Sequence, residues 1–175
     1  MDKKPQFTIE EMTLHTVEQA TKMRLESWLE TYTNEAAGVT REWIEARNKE
    51  QLSPEKVAAR RERLANPNGA RWVAKDKEGN VIGAATPYRD DEGVQHVGSL
   101  YVDKRWHGKG VGGALMQKII AWSDPTKPIE LGVVVYNERA KGFYKKWGFE
   151  EIPNSSTLFD NKIPEVKMIR KGDKQ

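Results

Sequence analysis

Apolar positions recur along the chain in two rhythms. From residue 111 to 122, Val111, Ala114, Leu115, Ile119 and Trp122 fall at helical spacing, and Lys118 alone interrupts the stripe. From 129 to 136, Ile129, Leu131, Val133 and Val135 alternate with Glu130, Gly132, Val134 and Tyr136. Both sets are largely apolar, which predicts a central strand. A weaker alternation over 7–14 predicts a first strand. Ala20, Met23, Leu25, Trp28, Leu29 and Tyr32 predict a helix over 16–33, capped by Thr16, with a loop at 34–39. Thr40 caps a second helix to 47, and Ser53 with Pro54 starts a third that runs to 64. Residues 66–69 read Asn-Pro-Asn-Gly and stop it.

Segments 71–75 and 81–85 predict a hairpin, and 93–102 the next strand. This antiparallel meander leads into the 110–122 helix. The strand–helix–strand order that follows predicts a parallel crossover. Asn137 caps a helix whose Ala140, Phe143, Tyr144 and Trp147 share one face, and Gly148 stops it. Strands at 149–152 and 165–169, joined by a loop over 153–164, complete the chain.

Composition narrows the class. A tail at 1–6 and a single domain over 7–171 suit the 175 residues, of which 37% are hydrophobic and 31% charged. The net charge of +3 is too mild to imply nucleic acid, and the basic run at 56–63 reads as a solvated helix face. With no cysteine there is no disulfide, no thiolate metal site and no thiol-acyl intermediate on this chain. The first residues carry no apolar core that would make a signal peptide. No apolar run approaches the roughly 20 residues of a membrane helix. A cytoplasmic protein that engages neither membrane nor nucleic acid is expected.

The stretch from Leu100 to Trp122 carries the most chemistry. A short apolar strand runs into a basic turn, then Gly108, Gly110, Gly112 and Gly113 open the amphipathic helix. Glycines at a helix N-terminus let backbone N–H groups close on an anion, and the helix dipole adds about half a positive charge. Lys104, Arg105 and Lys109 add full charges, so a phosphorylated ligand is implied. The glycines match Gly-x-Gly-x-x-Gly, yet five residues separate them from Val102 and no acid ends the next strand. Both facts speak against a dinucleotide fold. A P-loop fails because Gly110, not Ser or Thr, follows Lys109.

Leu-Tyr-Val-Asp-Lys-Arg-Trp-His-Gly-Lys-Gly-Val-Gly-Gly-Ala-Leu, from Leu100 onward, resembles motif A of the GNAT acetyltransferases. Asn137-Glu-Arg-Ala-Lys-Gly-Phe-Tyr-Lys-Lys-Trp-Gly-Phe149 resembles motif B of the same family. The match covers roughly 97–149, and His107 stands where the family carries Gln or Arg. The resemblance implies the α/β GNAT fold: a mixed, mostly antiparallel sheet of about six to seven strands, flanked by helices and splayed between the fourth and fifth.

It also implies acetyl-coenzyme A as co-substrate, without a metal. Its pyrophosphate is expected on the amides of His107, Gly108, Lys109, Gly110, Val111, Gly112 and Gly113, with Asn137 as a further contact. Its pantetheine would pair with Leu100 and Val102, and an N–H near Leu100 or Tyr101 would face the thioester carbonyl. Tyr144 is implied as the acid that protonates the leaving thiolate. His96, with an ordinary pKa near neutrality, and Glu130 are rival bases. Trp28, Tyr32 and Trp43 are candidate acceptor contacts.

The expected activity is acetyl transfer to a primary amine of a small molecule, polyamine-like or other, by direct attack in a ternary complex. Peptide or protein N-terminal acetylation is the alternative within enzymes. A coenzyme A-binding regulator without turnover, or a nucleic-acid module using the basic helix, are alternatives of other classes. A monomer or homodimer is expected.

Overall fold

The computed structural model describes residues 6–173. Residues 1–5 of the expected tail lie outside that range. The strands are β1 (Phe7–Glu11), β2 (Trp72–Asp76), β3 (Val81–Ala85), β4 (Tyr88–Arg89), β5 (Gln95–His96), β6 (Leu100–Val102), β7 (Ile129–Val134), β8 (Glu150–Glu151), β9 (Thr157–Phe159) and β10 (Ile163–Arg170). The helices are α1 (Thr16–Tyr32), α2 (Arg41–Gln51), α3 (Pro54–Arg63), α4 (Val111–Trp122) and α5 (Glu138–Lys146).

Capping chemistry sets most helix starts. Thr40, Ser53 and Asn137 accept from Trp43, Lys56 and Ala140 backbone N–H groups at 3.2, 3.4 and 3.1 Å. Thr16 is not a cap but the first helical residue of α1. Its own N–H donates to the Thr13 hydroxyl at 3.3 Å, so the capping oxygen sits three residues earlier than the sequence suggests.

The sheet comes in two halves, β1-β2-β3-β6 and β4-β5-β7-β10-β8, with β9 on β10. Every pairing is antiparallel except β5 with β7, the expected parallel crossover. One face packs on α4 and α5 through Val111, Leu115, Ile119, Leu131, Val133, Phe149 and Met168. Burying each such side chain contributes about 1.5–3 kcal/mol. The opposite face holds α1 against Val73, Val81 and Ala84, and Trp28 and Ile44 against Val134 and Ile163.

Two expectations are corrected. The strand expected over 93–102 is two strands, β5 and β6, broken at Gly98 (φ +65°). The loop expected over 153–164 contains β9, which turns back onto β10 through Asp160 and Asn161 at positive φ.

The break at Gly98 opens the sheet. Val97 still donates to the Glu130 carbonyl at 2.9 Å, on the β7 side. Two residues later Ser99 accepts from Thr86 at 2.9 Å, on the β3 side. From there β6 follows β3 while β7 follows β10. A wedge opens between the fourth and fifth main strands.

Candidate functional site

A cavity of about 800 Å³ fills the wedge. Backbone direction explains one wall. Ser99 and Asp103 bond β3, through Thr86 and Ile82, at 2.9 Å each. Because strand residues alternate, Tyr101 also faces β3, while Leu100 and Val102 turn their N–H and C=O groups into the wedge. Leu100 and the Val102 N–H therefore present free backbone edge to an extended ligand, whereas the Val102 carbonyl is already bonded by His107 Nε2 at 2.9 Å. Tyr101 does not: its amide belongs to β3, which removes it as a backbone donor to a thioester and leaves Leu100. Its side chain lines the cavity instead. The Tyr101 hydroxyl accepts from Trp28 Nε1 at 2.9 Å and lies 3.3 Å from the Tyr32 hydroxyl. Tyr136 in turn donates to the Tyr32 carbonyl at 2.6 Å.

The glycine turn forms the mouth. After a 3-10 turn at Lys104–Trp106, Gly108 (φ +74°) and Gly110 (φ +89°) adopt the left-handed conformation that lets the chain enter α4. Gly108, Gly110, Gly112 and Gly113 line the cavity at the N-terminus of this 12-residue helix, where amides and dipole favour an anion. Val111 is not among the residues that line the cavity, and its side chain is fully buried against Gly83 of β3. Lys109 turns away, its ammonium 5.1 Å from the Trp106 ring centre.

His107 donates from Nε2 to the Val102 carbonyl at 2.9 Å, and Arg139 of α5 closes on its other nitrogen. Burial, with the Arg139 charge, pushes its pKa down, against the pull of the Val102 carbonyl. A neutral His107 thus pins the turn to β6, where the family's Gln or Arg would stand. Asn137 spends its side chain on capping α5 and also lines the cavity.

Tyr144 lies deep in the wedge, 8% exposed, its ring 5.4 Å from Phe143 and 5.7 Å from Phe149. Burial, with Tyr101 nearby, pushes its hydroxyl well above the ordinary tyrosine pKa, so it stays protonated. Trp28 and Tyr32, the candidate acceptor contacts, line the cavity in edge contact at 4.8 Å. Trp43 packs behind them and lines a second, smaller cavity with Arg47.

The two expected bases are elsewhere. His96 Nε2 is bonded to Asp90 at 2.8 Å and its ring stacks on Tyr88 at 4.7 Å. Glu130 pairs beside it on β7. Neither is among the residues that line the wedge cavity. The break at Gly98 separates them from it, a bend that strand alternation does not reveal.

Glu165 takes that place in the wall. It shares a face of β10 with Ile163 and lines the cavity. Its carboxylate covers Gly132, where an added Cβ would come within 2.8 Å of Oε2. Burial, reinforced by Asp160, pushes its pKa up. Arg24 of α1 lines the cavity as well. Both were missed by sequence reasoning, although a signal existed. Arg24, Ser27, Trp28 and Thr31 share one helical face, so a charge accompanies the candidate aromatics.

Comparison with known proteins agrees with this architecture. The profile of the Acetyltransferase (GNAT) family matches residues 37–149, and the chain belongs to that family. An uncharacterised N-acetyltransferase of Mycobacterium tuberculosis is 34% identical over 91 residues, 51% of this chain and 58% of that protein. The L-amino acid N-acetyltransferase AaaT of Escherichia coli is 37% identical over 95 residues, 51% of this chain and 59% of that protein. The chain thus spans less than two thirds of the length of these curated relatives. Among solved structures, the PaiA N-acetyltransferase of Thermoplasma acidophilum in complex with coenzyme A aligns with a TM-score of 0.71 at 22% identity. That alignment covers 94% of this chain and 98% of the other. A GNAT-family acetyltransferase of Streptococcus pneumoniae also aligns with a TM-score of 0.71, at 17% identity, over 95% and 99%. Among the described residues no helix is long and apolar enough to cross a membrane.

Proposed function

We propose that the chain transfers the acetyl group of acetyl-coenzyme A to a primary amine of a small molecule, by direct attack in a ternary complex. One observation carries the reading. The wedge joins a free backbone edge at Leu100 and the Val102 N–H, a helix N-terminus at its mouth, and Tyr144 and Glu165 in its wall. The residues fit the co-substrate: amides of the glycine turn suit a pyrophosphate, and the unpaired edge of β6 suits the amide-rich pantetheine arm. When bound, acetyl-coenzyme A supplies an acyl group activated as a thioester.

The chain's residues do the rest. Glu165 takes a proton from the acceptor's ammonium, so that an uncharged nitrogen reaches the carbonyl carbon. Its raised pKa makes it a better base than an exposed carboxylate. The Leu100 N–H faces the wedge and is the donor for negative charge that develops on the carbonyl oxygen. As the carbon–sulfur bond breaks, Tyr144 gives its proton to the sulfur. Tyr144 lines the wedge and carries the proton at neutral pH that the step needs. With no cysteine in the chain, no thiol-acyl intermediate precedes the attack.

The test is calorimetric titration with acetyl-coenzyme A, followed by an acceptor screen that reads free thiol. Micromolar binding and acceptor-dependent thiol release are expected. Absence of binding refutes the reading, and binding without turnover of any amine or peptide turns it into that of a regulator.

A further inference from the structure

Deepening that reading, and resting on it, we propose that the acceptor is an amine that also bears a carboxylate, and that Arg24 receives this carboxylate.

The acceptor end of the wedge is built from one face of α1, with Arg24, Ser27, Trp28 and Thr31 all at the cavity wall. Arg24 has no carboxylate partner among the described residues, and its terminal Nη2 is buried without a hydrogen bond. Buried guanidinium groups are normally paired, because an unanswered charge away from water is costly. The surroundings make this one harder to hold. Arg47 and Arg63 lie close enough to act on it, and burial itself pushes its pKa down.

Arg47 is almost as demanding. Its side chain is 10% exposed, its Nε meets Asp160 at 2.5 Å, and its guanidinium sits 3.7 Å from the Trp28 ring centre. Its Nη1 is also buried and unpaired. Arg60 donates to the Gln51 carbonyl and side-chain oxygens at 2.6 Å rather than to a carboxylate, and burial among these charges pulls its pKa to about 10. Of these groups Arg24 alone lines the wedge, while Arg47 stands behind Trp28 and is answered by Asp160.

A wall that carries Arg24 without a carboxylate partner among the described residues calls for an anion there. At the same time Glu165, which makes no ion pair among the described residues, lines the same cavity and attracts a cation. Both charges line one cavity. A cavity positive at Arg24 and negative at Glu165 matches an acceptor that carries both an ammonium and a carboxylate. Its carboxylate would satisfy Arg24, and its ammonium would sit on Glu165, the group proposed to deprotonate it. A polyamine-like acceptor satisfies Glu165 alone and leaves Arg24 unanswered.

The experiment compares amino acids with their own amides and with the corresponding decarboxylated amines. All are presented to the full chain with saturating acetyl-coenzyme A. The acids should be preferred by about 10- to 100-fold in kcat/KM, the range expected for a charged hydrogen-bonded contact. Arg24→Gln should abolish that preference while acetyl-coenzyme A affinity and the thermal midpoint hold, and Arg24→Lys should restore part of it. Titration of acid against amide into coenzyme A-loaded protein gives a readout independent of turnover, and the acid alone should bind. Equal or better use of amides or polyamines, or a preference that survives Arg24→Gln, overturns the proposal and leaves the transferase reading standing. Failure to bind acetyl-coenzyme A overturns both.

Discussion

Gly98 is the hinge of the wedge, and its replacement by alanine measures how much the divergence of β5 and β6 depends on one missing side chain. The residue sits at φ +65°, where an L-side chain costs about 1–2 kcal/mol. Conformation is the smaller part. A Cβ at this position would lie 2.1 Å from the Thr86 carbonyl oxygen and 3.0 Å from the Tyr88 ring. The oxygen belongs to the backbone, so the clash is relieved only if β6 moves away from β3. Overpacking of this kind costs about 1–3 kcal/mol. The sum, about 2–5 kcal/mol, corresponds to roughly 5–15 °C in Tm for a domain of this size.

Gly108→Ala and Gly110→Ala are the controls. Both glycines have positive φ, but an added Cβ would meet nothing within 4 Å, so only the conformational cost of about 1–2 kcal/mol applies. Urea denaturation of the three variants without ligand gives the comparison. Calorimetry on Gly98→Ala should also show acetyl-coenzyme A affinity falling at least about tenfold, because Leu100 and Val102 no longer face the cleft in register. If Gly98→Ala costs no more stability than Gly108→Ala, the argument that a backbone clash maintains the opening is wrong.

Three further outcomes are expected. Tyr144→Phe should lower kcat by about 10²- to 10³-fold with little change in acetyl-coenzyme A affinity, and unchanged turnover would remove Tyr144 as acid. Glu165→Gln should lower kcat about 10²-fold and erase the acidic limb of the pH–rate profile. Folding raises the Glu165 pKa, so its ionised form is disfavoured in the native state. That penalty is absent in acid and grows as pH rises through the native value, so Glu165→Gln should raise Tm at neutral pH but not at pH 4. His96→Ala should leave kcat and the pH–rate profile within about twofold, and a lost acidic limb there would reinstate it as base.

Much of the site was legible because its parts are local. The glycine turn, the α4 stripe and the Asn137 cap each follow from fewer than fifteen consecutive residues, and backbone sterics and helix periodicity decide them within that span. Likewise, alternation in β7 foretold a central strand, which lies between β5 and β10, and the chain order foretold its parallel pairing. β9 escaped notice because it is a short, exposed edge strand, Thr157–Phe159, entered and left through polar turn residues. Nothing in its own pattern distinguishes it from loop.

The sequence by itself determined the family, the anion-binding turn, the proposed acid Tyr144 and the strand edge at Leu100 and Val102. Local conformational preferences and periodicity carry the turn, while the family, the acid and the strand edge come from the resemblance of 100–115 and 137–149 to the GNAT motifs. Only the tertiary structure decided which charges meet. His96 and Glu130 sit on the right strands, yet the bend at Gly98 leaves them outside the cavity. Arg24 and Glu165, at opposite ends of the chain, come to one cavity because α1 crosses the face of the sheet on which β10 carries Ile163 and Glu165. Side-chain alternation states which face a residue takes, but where a sheet splits depends on contacts between distant segments, here a single backbone oxygen at Thr86 against a glycine at 98.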